Sequence, residues 1–167
     1  ISSATVLWAA GTQASELGKS MNVELDEQGR VKVRGDLSLK GNPNVFVAGD
    51  QASFVGKDGR TLPGTAPVAM QQGKFIANTI LREFDSIPRK SFQYFDKGQM
   101  ATIGRKKAIV EVKGLRFGGF LAWLAWLFIH IFYLSGFKNR VIVLIQWGYS
   151  YFSFARGARL IINRNWR

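Results

Sequence analysis

The chain has 167 residues, 23 basic against 11 acidic, for a net charge of +12. It has no cysteine and a single histidine, His130. This excludes disulfides, thiolate metal sites and iron–sulfur ligation, and leaves a histidine-based metal centre almost nothing to build on. Redox chemistry in such a chain belongs to an organic cofactor. The charge calls for an anionic partner, nucleic acid or an anionic membrane surface. The basic residues of the last third flank long aromatic-apolar runs, which suit a membrane surface and argue against nucleic acid.

The first residue is Ile1, and Thr5 to Ala9 reads as a buried strand running into Gly11. A chain that opens inside a strand reads as the later part of a longer protein. Residues 1–113 have the pattern of an α/β domain, and residues 114–167 are apolar, aromatic and basic, with no acidic residue. Asp26-Glu27-Gln28-Gly29 predicts a hairpin turn. Val31 and Val33 alternate with Lys32 and Arg34, the period of a half-buried strand.

Val45-Phe46-Val47-Ala48 is a continuous apolar run after Gly41-Asn42-Pro43-Asn44, and predicts a parallel strand covered on both faces. It ends in Gly49-Asp50. Ligands of open α/β sheets sit outside such strand ends. Glycine there admits a ligand close to the backbone. A carboxylate can accept hydrogen bonds from sugar or ribityl hydroxyls. A Gly-Asp pair by itself would serve equally as a turn and cap, so its weight comes from the strand before it and the helix after it.

That helix is expected to start near Thr65, with Pro67 tolerated in its first turn, and to end before Pro88. Ala69, Gly73, Ile76, Ala77, Ile80, Leu81 and Phe84 share the predicted apolar face. The segment Thr65-Ala66-Pro67-Val68-Ala69-Met70-Gln71-Gln72-Gly73 puts small residues at a helix amino terminus, where unpaired N–H groups carry partial positive charge. Phe92 to Phe95, Met100 to Ile103 and Ala108 to Val112 predict short antiparallel strands.

From Phe117 to Phe137 no residue is charged. About 20 apolar residues suffice to cross a bilayer core. A second run, Val141 to Ala155, is shorter. Trp123, Trp126, Tyr133, Trp147 and Tyr151 suit the membrane interface, and Arg156, Arg159, Arg164 and Arg167 follow. A two-span hairpin would put Lys138 and Arg140 on the far side, against the positive-inside tendency. Insertion into one leaflet is therefore preferred, with spanning left open. His130 reads as locally hydrogen-bonded or as a wall of a ligand path.

Four segments carry a resemblance to a known family, one of them Thr65 to Gly73, whose Ala66, Ala69 and Gln71 match an Ala-Gln-x-Ala-x-Gln pattern that lines the flavin and the quinone tunnel in type II NADH dehydrogenases. Val45 to Asp50 resembles the second FAD fingerprint of two-dinucleotide-binding flavoproteins. Trp8-Ala9-Ala10-Gly11 is similar to the element by which such chains return from the NADH-binding domain. Tyr94 to Gly104 resembles the Lys-Gly turn of type II NADH dehydrogenases. Two departures stand out: Lys40 occupies a position where the pattern often has Thr, and Pro67 replaces the first Gln of an Ala-Gln-x-Ala-x-Gln pattern.

The resemblance implies the carboxyl-terminal part of a Rossmann-like FAD-binding domain, then short antiparallel strands and an apolar helical membrane anchor. It implies a non-proton-pumping transfer of electrons from NADH through FAD to a membrane quinone. Gly11, Gly49, Asp50, Ala66 and Ala69 would bind FAD, with Asp50 on the ribityl chain. Lys97 and Gln71 would be catalytic, the former stabilising negative charge on reduced flavin or quinol. Gln71, Lys97 and Met100 would line the quinone site, with no quinone hydrogen bond available from Pro67. The nicotinamide site would lie outside this chain, and the chain alone would be inactive. The implied location is the cytoplasmic face of the inner membrane, with membrane lipid as a partner and a homodimer compatible with the reading. The alternatives are a flavoprotein reductase with a soluble acceptor and a non-catalytic membrane-binding module.

Overall fold

A computed structural model describes residues 4–6, 13–104, 106–134 and 136–153. The chain divides into two compact units, Ile1–Asp96 and Lys97–Arg167. The expected opening strand and Gly11 fall largely outside the described residues, as do Ala155 and the terminal arginines. The compositional change after Lys113 lies inside the second unit.

The first unit contains helix α1 (Leu17–Ser20), strands β1 (Val31–Lys32), β2 (Ser38–Leu39), β3 (Asn42–Phe46) and β4 (Ala52–Ser53), and helix α2 (Ala66–Phe84). Strands β1 and β4 pair in parallel, and β2 and β3 pair antiparallel. The expected turn is present: the Gly29 N–H donates to the Asp26 carbonyl at 3.0 Å, and Gly29 has φ of 76°.

The Val45–Ala48 run departs from expectation. Its first half belongs to β3, which pairs antiparallel with β2 through a tight Lys40-Gly41 turn. Gly41 has φ of 86°, which a glycine reaches without steric cost. The turn thus folds the segment back on β2, and Val45 to Ala48 are only half-buried. Among the described strands of this unit, the parallel pairing is that of β1 with β4.

Helix α2 starts behind Thr65 and carries Pro67 in its first turn, as the sequence predicts. Its buried residues are Val68, Gln72 and Thr79, with Phe75 and Ile76 packed on the core. Leu81 and Phe84 are 63% and 83% exposed. The buried face is therefore rotated by one residue, about 100°, from the face that apolarity alone suggests. A buried glutamine with a backbone partner, described below, fixes the rotation. The core gathers Leu37, Phe54 and Phe92, with Phe92 meeting Phe54 and Phe75 edge-on at 5.3 and 5.4 Å. The predicted strand at 92–95 is instead an irregular segment, held at Phe92 by its N–H to the Gly35 carbonyl at 2.7 Å.

Arg89 ties this unit together. Its guanidinium binds Asp36 at 3.0 Å, Glu83 and the Pro43 carbonyl, and lies over the Phe46 ring. Burial pushes the Asp36 carboxyl up, but hydrogen bonds from Ser38 and Arg89 outweigh this and hold it below its ordinary 3.8. Asp26 is likewise lowered, with hydrogen bonds from Arg30, Ser53 and Gln28 overcoming its burial.

The second unit is a meander of β5 (Gln99–Thr102), β6 (Ala108–Val112) and β7 (Leu115–Gly119), followed by α3 (Phe120–Tyr133) and α4 (Phe137–Ser153). Lys113 and Gly114, with φ of 49° and 83°, make the two-residue hairpin from β6 to β7. Strand β7 takes the first three residues of the charge-free run, and α3 begins only at Phe120. The run is thus divided among a strand, a helix of 14 residues and the first residue of α4, with Ser135 outside the described residues. At 1.5 Å per residue α3 is about 21 Å long, short of the roughly 30 Å bilayer core. No helix of the described residues is long and apolar enough to cross a membrane.

Ala108, Val110 and Ala122 form the core of this unit, with Met100, Val112, Trp123 and Trp126 packed around it. Trp123 meets Tyr151 at 5.8 Å, and Trp126 stacks on Trp147 at 5.5 Å. As one index rises the other falls, so α3 and α4 run antiparallel.

Candidate functional site

In the first unit the chain leaves β3 and enters a 3-10 turn, Gly49–Gln51, that rests on the first two turns of α2. Gly49 has φ of 68°, and a Cβ there would lie 3.3 Å from the Ala69 Cβ. Glycine is thus required by both conformation and space, and the alanine opposite keeps the approach close. The Gly49 N–H donates to Gln72 Oε1 at 2.7 Å. Gln72 is 1% exposed, so this hydrogen bond is shielded from water.

Asp50 follows on the exposed side of the turn. A Cβ at Gly64 would lie 3.3 Å from its Oδ1, so the bare glycine leaves room for a hydroxyl beside the carboxylate. Gln13, Ala14, Gln28 and Arg30 complete a small pocket with Asp50 and Gly64. Gln51 holds the turn from its other end: its Oε1 accepts from the Ser15 N–H at 3.1 Å and the Ser15 hydroxyl at 2.8 Å. A rigid turn, an outward carboxylate and a bare glycine fit a polyhydroxyl chain such as the ribityl of a flavin.

The amino terminus of α2 adds an electropositive edge. Thr65 makes no side-chain capping bond, and its carbonyl accepts the first helical bond, from Ala69 at 3.0 Å. Ala66 is exposed at the first helical position, and Pro67 has no N–H. Among the predicted site residues, the structure brings Gly49 and Ala69 into contact, with Asp50 next to them.

Gln71 is differently placed from expectation. Its Nε2 donates to the Phe95 carbonyl at 2.9 Å, and its Oε1 accepts from the Phe95 N–H at 3.0 Å. The amide clamps the irregular segment after Phe92 to α2, which leaves one amide hydrogen for any other contact.

Lys97 and Met100 belong to the second unit. Lys97 is exposed, and its Nζ donates to the Tyr133 hydroxyl at 3.0 Å. Gly98 is fixed by sterics: φ is 93°, and a Cβ would overlap the Glu111 carbonyl and come within 2.7 Å of Val112 Cγ2. The backbone of the Lys-Gly turn is therefore fixed next to Lys97. Met100 is half-buried against the core of the unit, a packing role. His130 Nδ1 lies 2.8 Å from the Trp126 carbonyl, the local hydrogen bond expected for it, and its ring stacks on Trp126 at 4.1 Å.

Sequence reasoning missed Gln72 and Gln51. Gln72 carried no usable signal, being polar by composition on a helix face that the apolar pattern did not mark. Gln51 carried none beyond adjacency to Asp50.

Comparison with known proteins bears on these segments in order. Residues 1–73 match the family model of pyridine nucleotide-disulphide oxidoreductases. Residues 97–156 match the NDH2 C-terminal domain, which begins where the second unit begins. The type II NADH:quinone oxidoreductase Ndh of Mycobacterium tuberculosis is 43% identical over 98% of this chain and 36% of its own length. The type II NADH:quinone oxidoreductase of Staphylococcus aureus is 33% identical over 71% of this chain and 30% of its own length. The chain thus spans about a third of the length of the curated relatives it matches. The fold is similar to that of NDH2 from Plasmodium falciparum, solved in complex with NADH, with a TM-score of 0.71 at 16% identity over 93% of this chain and 46% of that one. With one family model matching in each unit and relatives of this name matching along the chain, the chain belongs to the type II NADH dehydrogenase family.

Proposed function

We propose that this chain supplies the ribityl side of an FAD site and the acceptor side of an NADH:quinone oxidoreductase. The observation that carries the reading is the Gly49-Asp50 turn, locked on α2 by the buried Gln72 and presenting its carboxylate outward. FAD, when bound, supplies the two-electron relay by which NADH, a proton and quinone become NAD⁺ and quinol. The residues of this chain bind and orient. Asp50 accepts hydrogen bonds from ribityl hydroxyls, while Gly49 and Ala69 keep the backbone close. Ala66 leaves the α2 terminus open, so that its partial positive charge favours electron-rich groups. Gln71 holds the Phe95 backbone and has one amide hydrogen left for the acceptor. Lys97, steadied by Tyr133, offers a cation for the negative charge that develops on a quinone as it is reduced. Met100 backs that turn from the core. Gly11, outside the described residues, completes the FAD-binding set that the family resemblance implies.

The second unit attaches the protein to the membrane surface. Leu121, Phe128, Ile145 and Phe152 on α3 and α4 are 72%, 71%, 65% and 80% exposed. Apolar side chains of this size gain roughly 25 cal/mol per Å² on leaving water. Among the described residues neither helix is long and apolar enough to cross a membrane; insertion from one face, the cytoplasmic one as the family resemblance implies, is the reading we adopt.

The test is Asp50→Ala in the full-length protein. Losing hydrogen bonds to a charged acceptor should weaken FAD retention by roughly 1.5–3 kcal/mol, about tenfold or more. Flavin released by denaturation is separated by chromatography to distinguish FAD from FMN. A wild-type protein that carries no flavin and reduces no quinone with NADH refutes the reading. Unchanged FAD stoichiometry in the variant refutes the role of Asp50.

A further inference from the structure

Lys97 opens the second unit just before β5, and steric crowding at Gly98 fixes the backbone beside it. The side chain needs its own restraint. A lysine has a flexible four-carbon stem, and an exposed one loses rotamer entropy when it is held in one place. Here Nζ donates to the Tyr133 hydroxyl at 3.0 Å. The centroid of the Tyr133 ring lies further away, at 5.3 Å, so the oxygen is the nearer anchor.

The anchor is itself braced. Tyr133 is the last residue of α3, and the ring of its neighbour Phe132 meets it edge-on at 5.8 Å. The Arg140 guanidinium lies 5.4 Å from the Phe132 ring, and its Nε donates to the Leu134 carbonyl at 2.9 Å. Carbonyls at a helix end have no helical partner, so this bond satisfies one that would otherwise be left over. The chain is thus tied down on either side of Tyr133, at Phe132 and at Leu134.

The kind of partner matters chemically. A carboxylate would hold a lysine but also neutralise it, as Glu24 does for Lys32 at 2.8 Å. A phenol hydroxyl accepts one of the three ammonium N–H bonds and leaves the charge and two donors in place. Tyr133 therefore confines a cation without cancelling it.

We propose that Tyr133 is the positioning residue of Lys97, its hydroxyl holding the ammonium ready for the negative charge that develops on the acceptor oxygen as quinone is reduced. The inference rests on the Lys97 reading above and adds the residue through which that lysine is made effective. Because Tyr133 acts through Lys97, its hydroxyl contributes to quinone reduction only while the lysine is present.

The experiment is a double-mutant cycle in the full-length protein, with Tyr133→Phe, Lys97→Met and the two combined. Tyr133→Phe keeps the ring and its packing on Phe132 and removes only the oxygen. Stopped-flow measurement reads flavin reduction by NADH and reoxidation by quinone separately. Loss of one net hydrogen bond corresponds to roughly a 2- to 10-fold change. The expected result is a loss of that size in the limiting rate of quinone reduction, with flavin reduction unchanged and no further loss when Tyr133→Phe is added to Lys97→Met. A second readout needs no turnover: competitive acetylation followed by peptide mass spectrometry, with the exposed Lys57 as internal standard. Lys97 should react several-fold faster in Tyr133→Phe, because its charged, unreactive form has lost a hydrogen bond. Equal acetylation of Lys97 in both proteins overturns the contact. Quinone reduction that is slowed by Lys97→Met but untouched by Tyr133→Phe overturns the positioning role and leaves the Lys97 reading standing. A Tyr133→Phe loss that persists undiminished beside Lys97→Met overturns action through the lysine. If Lys97→Met slows neither half-reaction, the Lys97 reading falls and this inference falls with it.

Discussion

Replacing Gln72 by methionine should loosen the Gly49-Asp50 turn while leaving the helix intact. The two side chains are similar in length, and both are good helix formers. The change removes the acceptor at 2.7 Å from the Gly49 N–H. A buried donor without a partner costs about 1–3 kcal/mol. Gly49 is half-buried, so water recovers part of the loss, and about 1–2 kcal/mol is the expected destabilisation. With a urea slope of roughly 1–3 kcal/mol per molar, the unfolding midpoint should fall by roughly 0.5–1 M. Flavin affinity should fall several-fold as well, because the turn must then be ordered on binding. Urea titration and fluorescence-monitored FAD binding read the two effects separately. Asp50→Ala should lower FAD affinity without moving the midpoint of the flavin-free protein, since Asp50 is exposed. An unchanged midpoint and unchanged FAD affinity in Gln72→Met would refute the role of Gln72 as the support of the turn.

Lys97→Met should slow quinone reduction more than flavin reduction by NADH; stopped-flow measurement of the two half-reactions decides it, and equal rates in both would make Lys97 an ordinary turn residue. Gly98→Ala must place a Cβ against the Glu111 carbonyl at φ of 93°, so a loss of about 2–4 kcal/mol in urea unfolding is expected, and a loss within about 0.5 kcal/mol would show that the turn can shift. Acid should destabilise the first unit through Asp36 and Asp26, whose folded-state values lie below the ordinary 3.8. The sign follows from the depression: the unfolded chain binds protons first, so their contribution is complete above about pH 4 and is lost as pH falls through the folded values. Urea midpoints measured between about pH 5 and pH 2 should show this limb, and Asp36→Asn should flatten it; an unaltered limb in the variant would place acid sensitivity elsewhere.

How far the fold could be read from the sequence depended on whether local rules decided each element. Helix α2 was legible because Pro67 and the turn residues before Thr65 announce its start without help from the rest of the chain. The hairpin turn at Asp26 to Gly29 and strand β6 were legible for the same reason. The Val45–Ala48 strand was misread because its pairing depends on the Lys40-Gly41 turn, which folds it back on β2. Apolarity reports burial, not partner direction. The buried face of α2 was misplaced by one residue because a glutamine, polar by composition, is the most buried side chain on it. Strand β7 was hidden inside an apolar run, where Gly118 and Gly119 were the sole sign that the helix had not begun. At the site, the Gly-Asp turn was legible as a unit, whereas its supports Gln72 and Gln51 act through partners distant in sequence.

The two units solve opposite problems with the same residue types. In the first, arginines are consumed by structure: Arg30 binds Asp26 and the Leu62 carbonyl, and Arg89 binds Asp36, Glu83 and the Pro43 carbonyl. Its carboxylates match its cations almost one for one, so little net field remains. In the second, one acidic side chain stands among twelve basic ones, and among the described cations Lys97, Lys106 and Arg140 lie over aromatic rings. An aromatic ring stabilises a cation by about 0.5–1 kcal/mol at an exposed site but leaves its charge in place. A soluble domain gains nothing from concentrating charge in this way, because self-repulsion works against the compact state. The arrangement becomes favourable only where an external anion layer neutralises the cations as the apolar helix faces leave water. The membrane attachment proposed above would meet both demands at one surface, covering the apolar helix faces and neutralising the cations.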